Sequence, residues 1–277
     1  MNRRVLSLGA GVQSTTVYLL AMEGTIPAID AAVFADTQEE PGAVYAHLQW
    51  LVSLGGPPIV VRSIGKLGDH LANGENTTGQ RCASIPAYTA QPGIRPATGM
   101  IRRQCTKEYK TQVVDRAIRR DVFGLPPRRA LIGANSVQLL FGISVDEARR
   151  AGSIKARVET KRRWSVVFPL LDLGWSRRDC EKWLSTRVPH EVPRSACVFC
   201  PFKSNVEWKR LKTHDPEGWD RAVFIDRQLR IPGNVLNRKL NQQLFLHRSA
   251  RPLDEVEFDQ RQEIFGFIRE CEAACGT

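Results

Sequence analysis

The strongest constraint on the fold is an alternation of short apolar runs with amphipathic stretches that begins at the first residues. Val5 to Leu8 is apolar and ends in the small-residue turn Gly9-Ala10-Gly11, and the 3.6-residue spacing after it predicts a helix from about Gln13 to Glu23. "IDAAVFADT" is a second strand, closing on Asp36 and Thr37. Gly42 to Leu54 is a helix and "PIVVRSI" a third strand. Strands that alternate with helices build a parallel sheet covered on both faces, an α/β architecture. Ligands of such sheets bind beyond the carboxyl ends of the strands, where the Gly9 turn and Asp36 fall.

The pattern breaks from Asn73 to Met100, a stretch rich in Gly, Pro, Thr and Asn and read as a long functional loop. A helix is expected from Cys105 to about Val122. Val113, Val114, Ala117 and Ile118 face inward, and Lys110, Arg116, Arg119 and Arg120 face largely outward. "RALIGAN" and "WSVVFPLLDL" read as further strands, and "WSRRDCEKWLSTR" as a helix opened by Ser176. Composition shifts after Pro189. The expected organisation is an α/β domain over 1–188 and an extension over 189–277 that packs on it, ending in a helix within "EVEFDQRQEIFGFIRECEAA".

Forty Lys and Arg stand against 29 Asp and Glu, a formal charge of +11, which suits a polyanion or a phosphate-bearing substrate. Basic residues gather in "IRRQCTKEYK", "DRAIRR", "KARVETKRRW" and "KSNVEWKRLK". Solvated helix faces account for most such runs, but Trp164, Trp208 and Trp219 interleave with them as stacking surfaces of single-strand-binding grooves do. No charged-then-apolar leader precedes the first strand and no apolar run is long enough for a membrane span, so a cytoplasmic protein without membrane association is expected.

Seven cysteines in such a chain point to metal binding, redox chemistry or burial rather than a disulfide framework. Cys197 and Cys200 form Cys-x-x-Cys, a spacing shared by zinc sites, iron–sulfur sites and redox dithiols. Cys82 follows Arg81, where positive charge favours a reactive thiolate, though burial of a small residue explains it equally. Cys180 falls on a helix and reads as core. The Gly9 turn is either a phosphate loop at a helix N-terminus or an ordinary capped connection, and it lacks the Lys of a Walker motif.

Three stretches together resemble the PP-loop ATP pyrophosphatase superfamily and, within it, the phosphoadenosine-phosphosulfate (PAPS) reductase-like family. Gly9-Ala10-Gly11-Val12-Gln13-Ser14 stands where that family has Ser-Gly-Gly-x-Asp-Ser, with Gln13 replacing the acid. Asp36, Thr37 and Glu40 match its Asp-Thr-Gly-x-Glu, with Gln38 in place of Gly. "GISVDEARR" is similar to its Gly-x-Arg-x-x-Glu-x-x-x-Arg, matching Gly142, Glu147 and, one residue short, Arg150. The alternative for Asp146 and Glu147 is a charged first helical turn. The resemblance implies an adenine nucleotide alpha hydrolase-like, Rossmann-like fold that binds ATP with Mg2+. Ser7, Gly9, Ala10, Gly11, Gln13, Ser14, Thr15, Asp36, Thr37, Glu40 and Gly142 would surround the nucleotide.

In the iron–sulfur branch of this family a Cys-Cys pair at a helix start joins a later Cys-x-x-Cys around a [4Fe–4S] cluster. Here Gln104 holds the first place of the pair, so Cys105, Cys197 and Cys200 are the implied ligands. Either Cys82 or Cys180 completes the set, or one iron stays open, as in PP-loop tRNA thiolation enzymes. Zn2+ held by three cysteines and His190 is the alternative. Cys82, Lys110, Glu147 and Arg150 are the implied catalytic residues, Lys110 as a phosphate contact. Cys271 and Cys275 only partly match the catalytic Glu-Cys-Gly tail of sulfonucleotide reductases.

The expected function is an ATP-dependent, cluster-bearing enzyme that adenylates a substrate and transfers sulfur, with DNA or tRNA as acceptor, a sulfur donor such as a cysteine desulfurase, and a homodimer as an open assembly. A sulfonucleotide reductase is the first alternative. The second is a non-catalytic nucleic-acid or partner-binding protein with a structural zinc.

Overall fold

A computed structural model describes residues 2–78, 85–126, 136–162, 164–231 and 242–258. The chain begins with β1 (Arg3–Leu8), α1 (Val12–Met22), β2 (Ala31–Ala35), α2 (Gly42–Ser53) and β3 (Ile59–Arg62). A short α3 (Leu67–Ala72) and two short strands, β4 (Tyr88–Ala90) and β5 (Gly99–Met100), come next. The helix expected near Cys105 is one continuous stretch with π-helical ends, Thr106–Thr111 and Ile118–Val122, around α4 (Gln112–Ala117).

After it come β6 (Val137–Phe141), the 3-10 turn Val145–Glu147, α5 (Ala148–Arg162), β7 (Ser165–Val167), α6 (Pro169–Asp172) and α7 (Arg177–Leu184). The C-terminal part adds α8 (Asn205–His214), α9 (Pro216–Gln228) and β8 (Gln243–Phe245). No described helix is long and apolar enough to cross a membrane.

The main sheet runs β3-β2-β1-β6-β7, all parallel, so the protein is α/β with a Rossmann-like strand order. The period-2 alternation of β1 divides its side chains between two cores. Leu6 and Leu8 join α1, α2 and α7 on one face, while Val5 joins Val33, Leu139, α4 and α5 on the other. Order reverses between β1 and β6, because the helix after β1 and the helix after β6 lie on opposite faces. That switch point is where an open α/β sheet leaves a crevice.

α1 is buried on all sides, between the sheet and the neighbouring helices, so its few polar residues bond inward. Thr16 returns its hydroxyl to the Val12 carbonyl at 2.8 Å. Ser176 caps α7 by accepting from the Asp179 N–H, as the sequence anticipates.

A third core joins both parts of the chain. Leu67, Leu71, Ile85 and Tyr109 pack with Ala196–Cys200, Trp208, Leu211, Ala222, Ile225 and Leu244. β8 adds to β4 and β5 in a small antiparallel sheet, pairing Tyr88 with Phe245. Asp226 ties the same region together, accepting from the backbone N–H of Leu246 and of Leu253.

Several expectations are corrected. The 73–100 stretch is not a structureless loop, because β4 and β5 lie within it. "WSVVFPLLDL" is not one strand: Pro169 lacks an N–H for the ladder and begins α6 instead. The strand that reaches Gly142 is β6, whereas "RALIGAN" lies outside the described residues. Of the expected terminal helix, Glu255 closes a 3-10 turn at Leu253–Glu255, residues 256–258 are not helical, and residues 259–274 lie outside the described residues.

Candidate functional site

At the switch point the β1 loop meets the turn after β6. Residues 9–16 are all buried. The N–H groups of Gly9 and Gly11 both point at one oxygen, Ser14 Oγ, at 3.2 and 3.3 Å. Two backbone donors aimed at a single acceptor form a small nest of the kind that suits an anion. Ala10, between them, holds φ +58°, a left-handed conformation that costs an L-residue about 1–2 kcal/mol. Gln38 holds the same φ in the turn after β2.

Gly142 closes the contact from the other side. A Cβ there would stand 2.7 Å from the Gln13 carbonyl carbon and the Ser14 nitrogen, so only glycine lets β6 end this close to α1. Gln13 then reaches across the crevice: its Nε2 donates to Ser144 Oγ and to Glu147 Oε2, both at 2.9 Å. Glu147 also pairs with Arg150. Thr15 Oγ1 bonds His47 Nε2 at 2.9 Å, and His47 Nδ1 bonds His190 Nε2 at 2.8 Å. Burial, then the nearby His190, pushes His47 down to about 4. Ser7 is buried in mid-strand on the side of Val5, and its hydroxyl has no partner.

Asp36 and Thr37 leave the end of β2. Asp36 Oδ1 accepts from Tyr45 Oη at 2.9 Å and from the Gln38 N–H at 2.7 Å. The Tyr45 phenol is pushed far up by burial, and then by Asp36. Thr37 Oγ1 lies 3.2 Å from Cys197 Sγ. The Val198 N–H donates to the Glu39 carbonyl at 2.7 Å, so the Cys-x-x-Cys turn hangs directly from the end of β2. Glu39 in turn accepts from Arg221 of α9 and from the Gly68 N–H, which fixes that attachment.

Cys105, Cys197 and Cys200 line one cavity with Thr37, Arg103 and Lys110. Lys110 Nζ reaches Glu40 Oε1 at 3.2 Å, and Glu40 Oε1 lies 4.0 Å from Cys197 Sγ. The cavity therefore combines three thiols, a buried cation and its carboxylate partner. Among the described residues no three His, Cys, Asp or Glu side chains converge on one point as a single metal ion requires.

The structure revises four expectations at this level. Lys110 is buried on the cavity wall, not outward, because its helix packs under the Cys-x-x-Cys turn. Cys180 sits in the α1–α7 core, away from the cavity core that holds Cys197 and Cys200, so it does not complete their set. His190 bonds His47 and lines a separate groove with Val12 and Gly42, so it does not join the cysteines. Trp164, Trp208 and Trp219 are core side chains rather than stacking surfaces. Cys82, Cys271 and Cys275 lie outside the described residues.

Sequence reasoning missed His47, the Lys110–Glu40 pair and Ser144. A histidine inside an apolar helix such as "YAHLQWL" was the available signal for the first; nothing local marks the others, whose partners are distant in sequence. Neither family models, nor curated proteins, nor solved structures match this chain.

Proposed function

We propose that the chain is a PP-loop-type enzyme of adenine nucleotide alpha hydrolase-like fold that binds ATP at the β1 loop, adenylates a substrate and transfers sulfur, with a nucleic acid as acceptor. The observation that carries this reading is the meeting of Cys105 with Cys197 and Cys200, ninety-two or more residues away, in one cavity at the foot of the Asp36–Glu40 segment. Three motifs scattered along the sequence thereby face a single region of the fold.

Three cysteine thiols on one cavity are a donor set that an iron–sulfur cluster can use. A [4Fe–4S] cube takes each thiolate on a different iron, which suits three cysteines spread round a cavity. Cys105, Cys197 and Cys200 would hold it, and when bound it supplies an iron able to take up sulfur. Lys110 places a positive charge on the cavity wall, which favours an anionic occupant, and Glu40 keeps that ammonium oriented.

The nucleotide reading rests on the loop. The N–H groups of Gly9 and Gly11 already converge on an oxygen, and a phosphate oxygen would satisfy them as Ser14 Oγ does. Ala10 and Gln38 hold the left-handed backbone that glycine adopts most readily, and both stand where the resembled motifs have Gly, which supports the resemblance. Glu147 and Arg150 stand paired at the crevice, where the guanidinium adds positive charge beside the β1 loop. The net charge of +11 favours a polyanionic acceptor.

Anaerobic purification with iron, sulfide and zinc analysis tests the metal half of the proposal. A brown protein absorbing at about 400 nm is expected. Alanine at Cys105, Cys197 or Cys200 should lower its iron, while Cys180→Ala should not. A colourless protein holding one zinc overturns the cluster. Release of AMP and pyrophosphate from ATP on adding nucleic acid tests the other half, and sulfite release from adenylylsulfate would favour a reductase instead.

A further inference from the structure

The turn after β6 carries two adjacent acids, Glu147 beside Gln13 at the start of α1 and Asp146 beside the Arg177 N–H at the start of α7. Such a pair beside a phosphate loop is a natural place to look for Mg2+, which takes six oxygen ligands at about 2.0–2.1 Å. Every carboxylate oxygen with a partner here is instead met by a hydrogen-bond donor. Glu147 Oε2 accepts from Gln13 Nε2 at 2.9 Å and Glu147 Oε1 pairs with the Arg150 guanidinium. Asp146 Oδ2 accepts from the Arg177 backbone N–H at 2.6 Å and from Ser144 Oγ at 3.3 Å.

The orientation of Gln13 follows from its neighbours. A carboxylate only accepts, so the amide must turn its NH2 toward Glu147, and both N–H groups are then used, on Glu147 and Ser144. The side chain is 1% exposed, and its backbone is pinned by Gly142, so it has no room to swing aside for a cation. A Mg2+ ion entering here would have to displace a guanidinium and an amide N–H from Glu147, while Gln13 Oε1, buried without a hydrogen-bond partner, belongs to the end of the amide not used on that carboxylate. The residues present do not fit it.

We propose that the Gln13 carboxamide stands in for a divalent cation, cross-linking the β1 loop to the β6 turn, and that this chain holds no Mg2+ at the switch point. The corollary is specific: a carboxylate at position 13 would lie against Glu147, a buried like-charge pair that a cation between its members would relieve. One substitution should therefore create a cation site where the natural chain has none.

The test uses full-length, nucleotide-free protein, so its result does not depend on the nucleotide reading. Mg2+ and Mn2+ are titrated calorimetrically and Tm is read with and without EDTA. The readout is the difference between each protein and the same protein carrying Glu147→Gln. For the natural chain that difference in cation binding should be nil, and a saturable Glu147-dependent site overturns the proposal. Gln13→Glu should gain one site and show a Tm lowered in EDTA and recovered by Mn2+; a folded Gln13→Glu without any cation response overturns it. Should Gln13→Glu fail to fold, the exchanged pair Gln13→Glu with Glu147→Gln decides. Metal-independent folding of that pair supports the cross-link, and its failure overturns it.

Discussion

Lys110 Nζ stands 3.2 Å from Glu40 Oε1 with both side chains almost wholly withdrawn from water, on the wall of the cavity that Cys105, Cys197 and Cys200 share. An isolated buried charge is far costlier than a paired one, so each single change should hurt more than the double. Lys110→Met or Glu40→Gln is expected to cost about 3–5 kcal/mol, and Lys110→Met with Glu40→Gln to recover a good part of it. Urea unfolding of the four proteins measures the coupling. Additive losses would mean that the pair does not act as one.

Gly142 is held against backbone rather than side chain, so a methyl group there cannot be relieved by a rotamer change. Gly142→Ala should cost about 1–3 kcal/mol and separate the β6 turn from α1. Amide exchange should rise at Gln13 and Ser144 ahead of the rest of the sheet. A variant as stable and as protected as the natural chain would refute the close approach.

Gln38 is exposed but sits at φ +58°. Surface positions usually tolerate substitution, whereas this one should discriminate by backbone preference alone. Gln38→Val is expected to lose about 1–2 kcal/mol and Gln38→Gly to stay within about 0.5 kcal/mol of the natural chain. Denaturant midpoints of the two variants settle it, and equal midpoints would count against the left-handed turn.

His47 and His247 are both pushed down to about 4, each first by burial and then by a neighbouring charge, His190 for the one and Arg248 for the other. Because the folded state holds them neutral, their contribution is fully present above the unfolded value near 6.5. It is lost as pH falls through that value toward 4. Each accounts for about 3 kcal/mol at most. Stability should therefore decline between pH 6.5 and 4, and His47→Gln should make the decline shallower. Urea titrations across that range give the slope, and an unchanged slope would exclude His47 as a contributor.

The alternation of strands and helices was legible because the central strands and the helices that cover them carry their burial in a local pattern, as in "AVFA" of β2 and the apolar face of α4. The misreadings have physical causes. Pro169 turns a strand-like run into a helical start, and a two-residue strand such as Gly99–Met100 has too little sequence to show a period. Lys110 reads as solvent-facing from its helix alone, since only the packing of a segment almost ninety residues later encloses it.

The sequence by itself determined the α/β class, the glycine-rich turn after the first strand and the chemical types available for a site, because these depend on residues close together in the chain. Tertiary structure alone decided which of them meet. It set three of the cysteines around one cavity and Cys180 in a different core, gave Lys110 its buried partner, and joined Gln13 to Glu147 across the switch point. Those outcomes are long-range contacts fixed by strand order and helix packing, which no local pattern of residues encodes.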